Sequence, residues 1–176
     1  MGVLQDEAEG DIGSVPECTG CGSIRVVCGA WACWNPASGI WELESVVEAG
    51  YCRNCDQETT FRWRRDEGIA RQVVRELNDS FRIHGEGPGS LLITAGLAAE
   101  GEAFVTEVIQ AVRSFDEFTK ENDPWGEHDF GAIEVQGRKV FWKIDYYDRA
   151  LETGSPNPGN PRLTHRVLTV MFASEY

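Results

Sequence analysis

Six cysteines, at positions 18, 21, 28, 33, 52 and 55, are the side chains whose type and spacing promise chemistry most directly. Cys18-Thr19-Gly20-Cys21 and Cys52-Arg53-Asn54-Cys55 are two C-x-x-C turns. Two intervening residues let a tight turn aim both sulfurs at one ion, and a second turn closes a tetrahedron, so Cys18, Cys21, Cys52 and Cys55 are expected to hold a structural Zn2+. Thiolate at all four positions leaves no open coordination site, so the metal would hold a fold and perform no reaction. Gly20 and Gly22 suit the positive dihedrals of such a turn. Two disulfides or a redox pair are the alternatives. The acidic N-terminus has neither a basic region nor an apolar stretch of secretory type, which points to a reducing, cytoplasmic setting. No thioredoxin-like pattern surrounds either turn. Cys28 and Cys33 differ in strand parity and are expected as buried apolar thiols on opposite faces, not as ligands.

A second constellation is Asn122-Asp123-Pro124-Trp125-Gly126-Glu127-His128-Asp129-Phe130-Gly131. With Asp145 on a neighbouring strand, His128, Asp129 and Glu127 would supply the imidazole and carboxylates of a general base or a divalent-ion site, the basis of a small hydrolase-type enzyme. The same residues are also what a surface turn needs. The Gly-rich segment at 85–90 lacks the Lys-Ser/Thr ending of a phosphate loop, and neither a Gly-x-Ser-x-Gly elbow nor a His-Glu-x-x-His pair occurs.

The elements that must position these groups fall into two modules. Arg25–Trp34, Ile40–Val47 and Thr59–Trp63 read as extended runs around the Asn35–Gly39 turn, giving a zinc ribbon over 18–65 with a small three-stranded sheet behind an acidic tail over 1–17. A ribbon this small needs metal to supply its folding free energy. Over 66–176, Ile69, Val73, Leu77 and Phe81 repeat every four positions and predict a helix from Glu67 to Arg82. Leu91–Ala95 reads as a strand, and Gly101–Phe115 as a second helix with Phe104, Val108, Val112 and Phe115 on one face. A loop over 116–127 leads to a hairpin, Asp129–Val135 and Arg138–Tyr147, turned by Gln136-Gly137. Arg166–Ala173 closes the chain. The fold class is therefore α+β: a four-cysteine ribbon, then an antiparallel sheet with two helices. On the second hairpin strand, Phe141, Lys143, Asp145 and Tyr147 share one face, and Trp142, Ile144 and Tyr146 the other.

Composition narrows the partners. The 176 residues carry 29 acids against 16 bases, a formal charge of −13. That balance opposes nonspecific wrapping of duplex nucleic acid, and no apolar run is long enough to span a membrane. Four of the six tryptophans, Trp31, Trp34, Trp41 and Trp63, lie in the ribbon. Arg62, Trp63, Arg64 and Arg65 interleave bases with an aromatic and could stack on unpaired bases. The plainer expectation is that the tryptophans form the ribbon's core and the arginines are solvated. Asp123, Trp125, Lys143 and Tyr147 complete the candidate binding residues.

Leu77-Asn78-Asp79, Thr94-Ala95-Gly96, the 122–131 motif, Phe141-Trp142-Lys143-Ile144-Asp145-Tyr146-Tyr147-Asp148, and Arg166-Val167-Leu168-Thr169 with Glu175-Tyr176 resemble an uncharacterised family, a domain of unknown function common in proteobacteria and frequent on plasmids and other mobile elements. The resemblance covers about residues 70–176. It implies an accessory gene of mobile DNA and carries no established catalytic residues. Joined to the acidic charge, it implies an anti-defence protein, an anti-CRISPR or anti-restriction inhibitor that occupies the basic nucleic-acid-binding surface of a host defence complex. The alternatives are the His128/Asp129/Asp145 enzyme and a nucleic-acid-binding ribbon.

Overall fold

A computed structural model of the chain describes residues 11–176. The first ten residues of the acidic tail expected over 1–17, and the side chain of Glu48, lie outside the described residues. The chain divides into two compact units, Met1–Glu67 and Gly68–Tyr176.

The first unit contains β1 (Ser14–Cys18), β2 (Val26–Asn35), β3 (Ile40–Cys52), β4 (Gln57–Thr59) and β5 (Phe61–Arg65). A three-stranded sheet does form, β2-β3-β4, but most of the expected third strand, Thr59–Trp63, falls in β5, which pairs with β1 in a second sheet of two strands. It exists because residues ahead of the first cysteine are already extended: Ser14 pairs with Arg65, and Cys18 with Phe61. Asn35 closes the β2–β3 turn. Its carboxamide oxygen accepts from the Ala37 amide, and its carbonyl from the Gly39 amide, while Gly39 takes a φ of 70°.

Two expectations for this unit are corrected. The tryptophans do not form a core: Trp31, Trp34, Trp41 and Trp63 are 69, 51, 68 and 40% exposed. Cys33 is exposed and Cys28 only half-buried, so neither is a core thiol. The reason is topological. β4 pairs with β3 only at Gly50–Cys52, so within this unit the distal hairpin has no third strand beside it.

The second unit runs α1 (Glu67–His84), β6 (Gly89–Ile93), α2 (Ala95–Ala98), α3 (Glu102–Ser114), β7 (Phe130–Val135), β8 (Arg138–Tyr147), β9 (His165–Phe172) and a 3-10 turn at Ala173–Glu175. The two long helices and the hairpin fall where the sequence puts them, and α2 is an additional short turn. The sheet order is β6-β9-β8-β7. The sheet is not wholly antiparallel, because β6 pairs parallel with β9. Parallel neighbours need a crossover, and the chain between β6 and β9 includes α2 and α3.

Leu97, Phe104, Val108 and Val112 from the helices meet Val135, Val140, Trp142, Ile144, Leu168 and Val170 from the sheet, with Phe81 of α1. Trp142 is the bulkiest fully buried side chain. It demands glycine on the neighbouring strand, since a Cβ at Gly131 would sit 2.5 Å from its indole nitrogen. Helix α1 turns a different row inward from the one its large apolar residues suggest. Ala70, Val74, Asn78, Phe81 and Arg82 are buried, Val73 and Leu77 half-buried, and Ile69 exposed.

Candidate functional site

The first site is the sulfur cluster. Cys18 ends β1 and Cys52 ends β3, so each C-x-x-C turn follows a strand that fixes its first sulfur. In both turns the amide after the second cysteine bonds back to the first cysteine's carbonyl: Gly22 to Cys18 at 2.9 Å and Asp56 to Cys52 at 2.8 Å. Both donors lie in the left-handed region, Gly22 at φ 72° and Asp56 at φ 57°. Glycine does this freely, and aspartate is among the few side chains that tolerate it. Gly20 is not at a positive φ. The Sγ atoms of Cys18, Cys21, Cys52 and Cys55 all lie within 4.8 Å of one another, an arrangement that could hold a metal ion. Cys28 and Cys33 are not part of it. Polar neighbours serve the sulfurs. The Thr59 hydroxyl, 3.2 Å from Cys18 Sγ, holds that thiol down at about 6. The Asn54 carboxamide donates to Cys21 Sγ at 3.6 Å, and the Cys55 amide to Cys52 Sγ at 3.4 Å. The crowd of sulfurs, Cys21 foremost, pushes Cys55 up to about 12. Without a cation, four thiols this close cannot all ionise; a bound cation makes thiolate the favoured form of each.

The second site is a buried polar network centred on α1. Asn78, fully buried, donates to the Glu127 carbonyl at 2.8 Å and to the Tyr146 hydroxyl at 2.7 Å. Its oxygen accepts from Arg166 Nε at 2.9 Å, and the Arg166 guanidinium also donates to the Pro158 carbonyl. The Tyr146 hydroxyl in turn donates to the Glu127 carboxylate at 3.0 Å. One residue on, Asp79 accepts from Arg82 at 2.9 Å and faces His128 Nδ1 at 2.8 Å. Arg82 lies over the rings of Trp142 and Phe118 and donates to the Val112 and Arg113 carbonyls at the end of α3. His128 stacks flat on Phe118, with 3.6 Å between centroids, and its Nε2 is 3.7 Å from Asp123. Both edges and a face of the imidazole are thus occupied.

Burial first, then neighbouring carboxylates, raises Glu127 and Asp129 above the usual carboxyl range, and the Tyr146 hydroxyl bond offsets part of this for Glu127. Burial raises Tyr146 and lowers Arg166. Glu127, His128 and Asp129 do gather here with Asp123. Asp145 pairs with Lys143 at 2.7 Å on its own strand, which holds Lys143 above its ordinary value, and its charge is also among those that raise Asp129. The Asp123 carboxylate is spent on the turn, accepting from the Glu127 and His128 amides, and Asn122 bonds Thr119 and Glu117. Trp125 stands 68% exposed on that turn, and Tyr147 is exposed at the end of β8. A cleft of about 110 Å3 is lined by Leu77, Ser80, Glu86 and Arg166 among others, and a shallow groove of about 580 Å3 lies between the end of α3 and β7–β8. Glu127, His128 and Asp129 line neither.

The arginines of β5 are all engaged by acids. Glu17 takes Arg62 at 2.6 Å and Arg64 at 2.8 Å, Asp66 takes Arg64 at 3.4 Å, and Glu67 takes Arg65 at 3.2 Å. Asn78, Asp79, Arg82, Tyr146 and Arg166 were not singled out from the sequence as site residues. A signal existed: Ala70, Val74, Asn78 and Arg82 form an i+4 row in which two small or branched apolar residues are followed by two polar ones.

Among the described residues, no helix is long and apolar enough to cross a membrane. No curated protein and no solved structure matches the chain. Residues 93–175, just under half of the chain, match the family described as "Protein of unknown function (DUF3768)", a similarity that runs from the end of β6 to the C-terminal 3-10 turn and leaves α1 and the cysteine-bearing unit outside it.

Proposed function

We propose that the chain is a zinc-stabilised binding protein that acts by protein–protein contact on a basic partner surface. The observation that carries this reading is the closed sulfur quartet. A tetrahedral ion with Zn–S bonds of ~2.3 Å separates its sulfurs by ~3.8 Å, and Cys21 and Cys52 Sγ are 3.7 Å apart. Cys18, Cys21, Cys52 and Cys55 would fill the shell of Zn2+, the ion for which two C-x-x-C turns are best suited. A filled shell leaves the metal a structural task, and recognition then belongs to surfaces. The net charge of −13 favours a basic partner. The carboxylates already paired with Arg62, Arg64 and Arg65 argue against a phosphate backbone as that partner. The stacking of His128 and the pairing of Asp145 with Lys143 argue for a structural use of the groups a hydrolase would need. In its anti-defence form, the chain occupies the nucleic-acid groove of a host CRISPR or restriction complex in the cytoplasm.

Elemental analysis of the purified chain, paired with competition against such a complex for DNA, tests both halves. One zinc per chain and salt-sensitive displacement of DNA are the expected results. An ordered ribbon free of metal defeats the first half, and a direct gel shift of single- or double-stranded DNA by this chain at low salt defeats the second.

A further inference from the structure

We infer that one face of the β2–β3 hairpin is the docking surface, and that its occupant is a protein surface with an apolar centre and a basic rim. This rests on the binding-protein reading and names the place and the partner's chemistry. The register pairs Trp34 with Trp41, Ala32 with Leu43 and Ala30 with Val46. Residues directly opposite share a face, and alternate residues along a strand return to it. A bulge in β3 between Leu43 and Ser45 keeps Val46 in phase. Six apolar side chains with no ionisable group among them therefore line one face. Trp34, Trp41, Leu43 and Val46 are its large members, and each is about half exposed or more. The two indoles meet edge to face at 5.6 Å, a rigid aromatic pair at the hairpin tip. An apolar strip of this kind on a small protein marks an interaction site.

Charge selects the occupant. From Val26 to Cys52 there is no lysine or arginine, while Glu42, Glu44 and Glu48 lie in the hairpin. Glu42, opposite Cys33 and so on the hairpin's other face, is held near the tip by Asn35 at 2.7 Å and Ser38 at 3.2 Å. A second copy is disfavoured because it would bring together two chains that each carry a net charge of −13. Nucleic acid and anionic lipid are repelled for the same reason. A basic-rimmed protein surface gains on both counts. The hairpin also grows from the sulfur cluster, since Val26 at its base is opposite Cys52, so metal binding would set how firmly the strip is presented.

The test uses the full chain and three probes: a synthetic peptide alternating leucine and lysine, its leucine–glutamate counterpart, and a single-stranded oligonucleotide, each titrated by calorimetry and tryptophan fluorescence. The leucine–lysine peptide alone should bind, more weakly as salt rises. Trp34→Ala with Trp41→Ala should weaken it about tenfold or more, as truncated aromatic anchors do. Glu42→Gln, which leaves the face and the fold untouched, should weaken it less and flatten the salt dependence. Wild-type affinity in both variants would place the contact elsewhere and overturn this inference while leaving the binding-protein reading standing. Failure of the unmutated chain to bind the peptide would sink that reading as well. Oligonucleotide binding, or a dimer that the double tryptophan variant dissolves, would replace the proposed occupant.

Discussion

Asn78 carries more of the second unit's order than its size suggests, because its carboxamide satisfies three partners at once in a fully buried position. Asn78→Leu would leave the Glu127 carbonyl, the Tyr146 hydroxyl and Arg166 Nε with one acceptor or donor fewer each. Unmet buried polar groups cost about 1–3 kcal/mol apiece, so urea unfolding of the variant should show a loss of roughly 3 kcal/mol or more. Glu127 makes the opposite case. Its folded-state carboxyl is raised by burial, so over the window between its ordinary range and that raised value the folded state binds more protons than the unfolded one. Stability from this group is complete below the unfolded value and is lost as pH rises through the folded one. Asp129 is shifted the same way. Glu127→Gln keeps an acceptor for the Tyr146 hydroxyl and removes the buried charge. It should therefore raise the stability of the second unit at neutral pH, with the gain shrinking toward acid, as chemical melts across that range would record. Should the gain grow toward acid, the sign of the Glu127 shift is wrong.

At the scale of the element, α1 states what a periodicity can and cannot reveal. The row Ile69, Val73, Leu77 and Phe81 is the more hydrophobic one, and it marks the right helix but only the border of the buried face, with Phe81 buried, Val73 and Leu77 half-buried and Ile69 exposed. The buried row is one residue on, at Ala70, Val74, Asn78 and Arg82. Its last two turns carry polar side chains because they bind the 122–131 loop, the end of α3 and β9, none of which lies near α1 in the sequence. Val74→Ser should accordingly cost roughly 2 kcal/mol and Ile69→Ser far less; equal losses in thermal melts would restore the first row. The hairpin β7–β8 was legible for the contrary reason. Alternation and the Gln136-Gly137 turn are local, and the register Val135–Arg138 through Phe130–Lys143 follows from them. The parallel partner of β6 was illegible, since nothing within five residues of a strand says which neighbour it will meet. The four sulfurs were legible because the chemistry of a C-x-x-C turn is contained in its own spacing, whereas the exposed ribbon tryptophans looked like a core because composition alone cannot count the strands beside them.

For the whole molecule, the division into Met1–Glu67 and Gly68–Tyr176 predicts two sources of stability. The second unit has a continuous core of helix and sheet side chains and draws its stability from apolar burial. The first has few buried apolar side chains among its described residues, Cys18 and Cys52 among them, so an ion held by the sulfur cluster would be its main support. Its hydrophobic contribution is too small to close two sheets by itself, and the binding free energy of a metal becomes folding free energy. Chelation should therefore dissolve the amide protection of β1–β5 and leave that of β6–β9 and α3 in place, as hydrogen exchange read strand by strand would reveal. Cys52→Ser should reproduce the chelated pattern even in excess zinc, because it removes one of the four sulfurs, the one at the end of β3. Cys33→Ser should not, since that thiol is exposed and outside the sulfur cluster. Loss of protection in both units on chelation would mean that they fold as one, and the metal would then be a stabiliser of the whole chain.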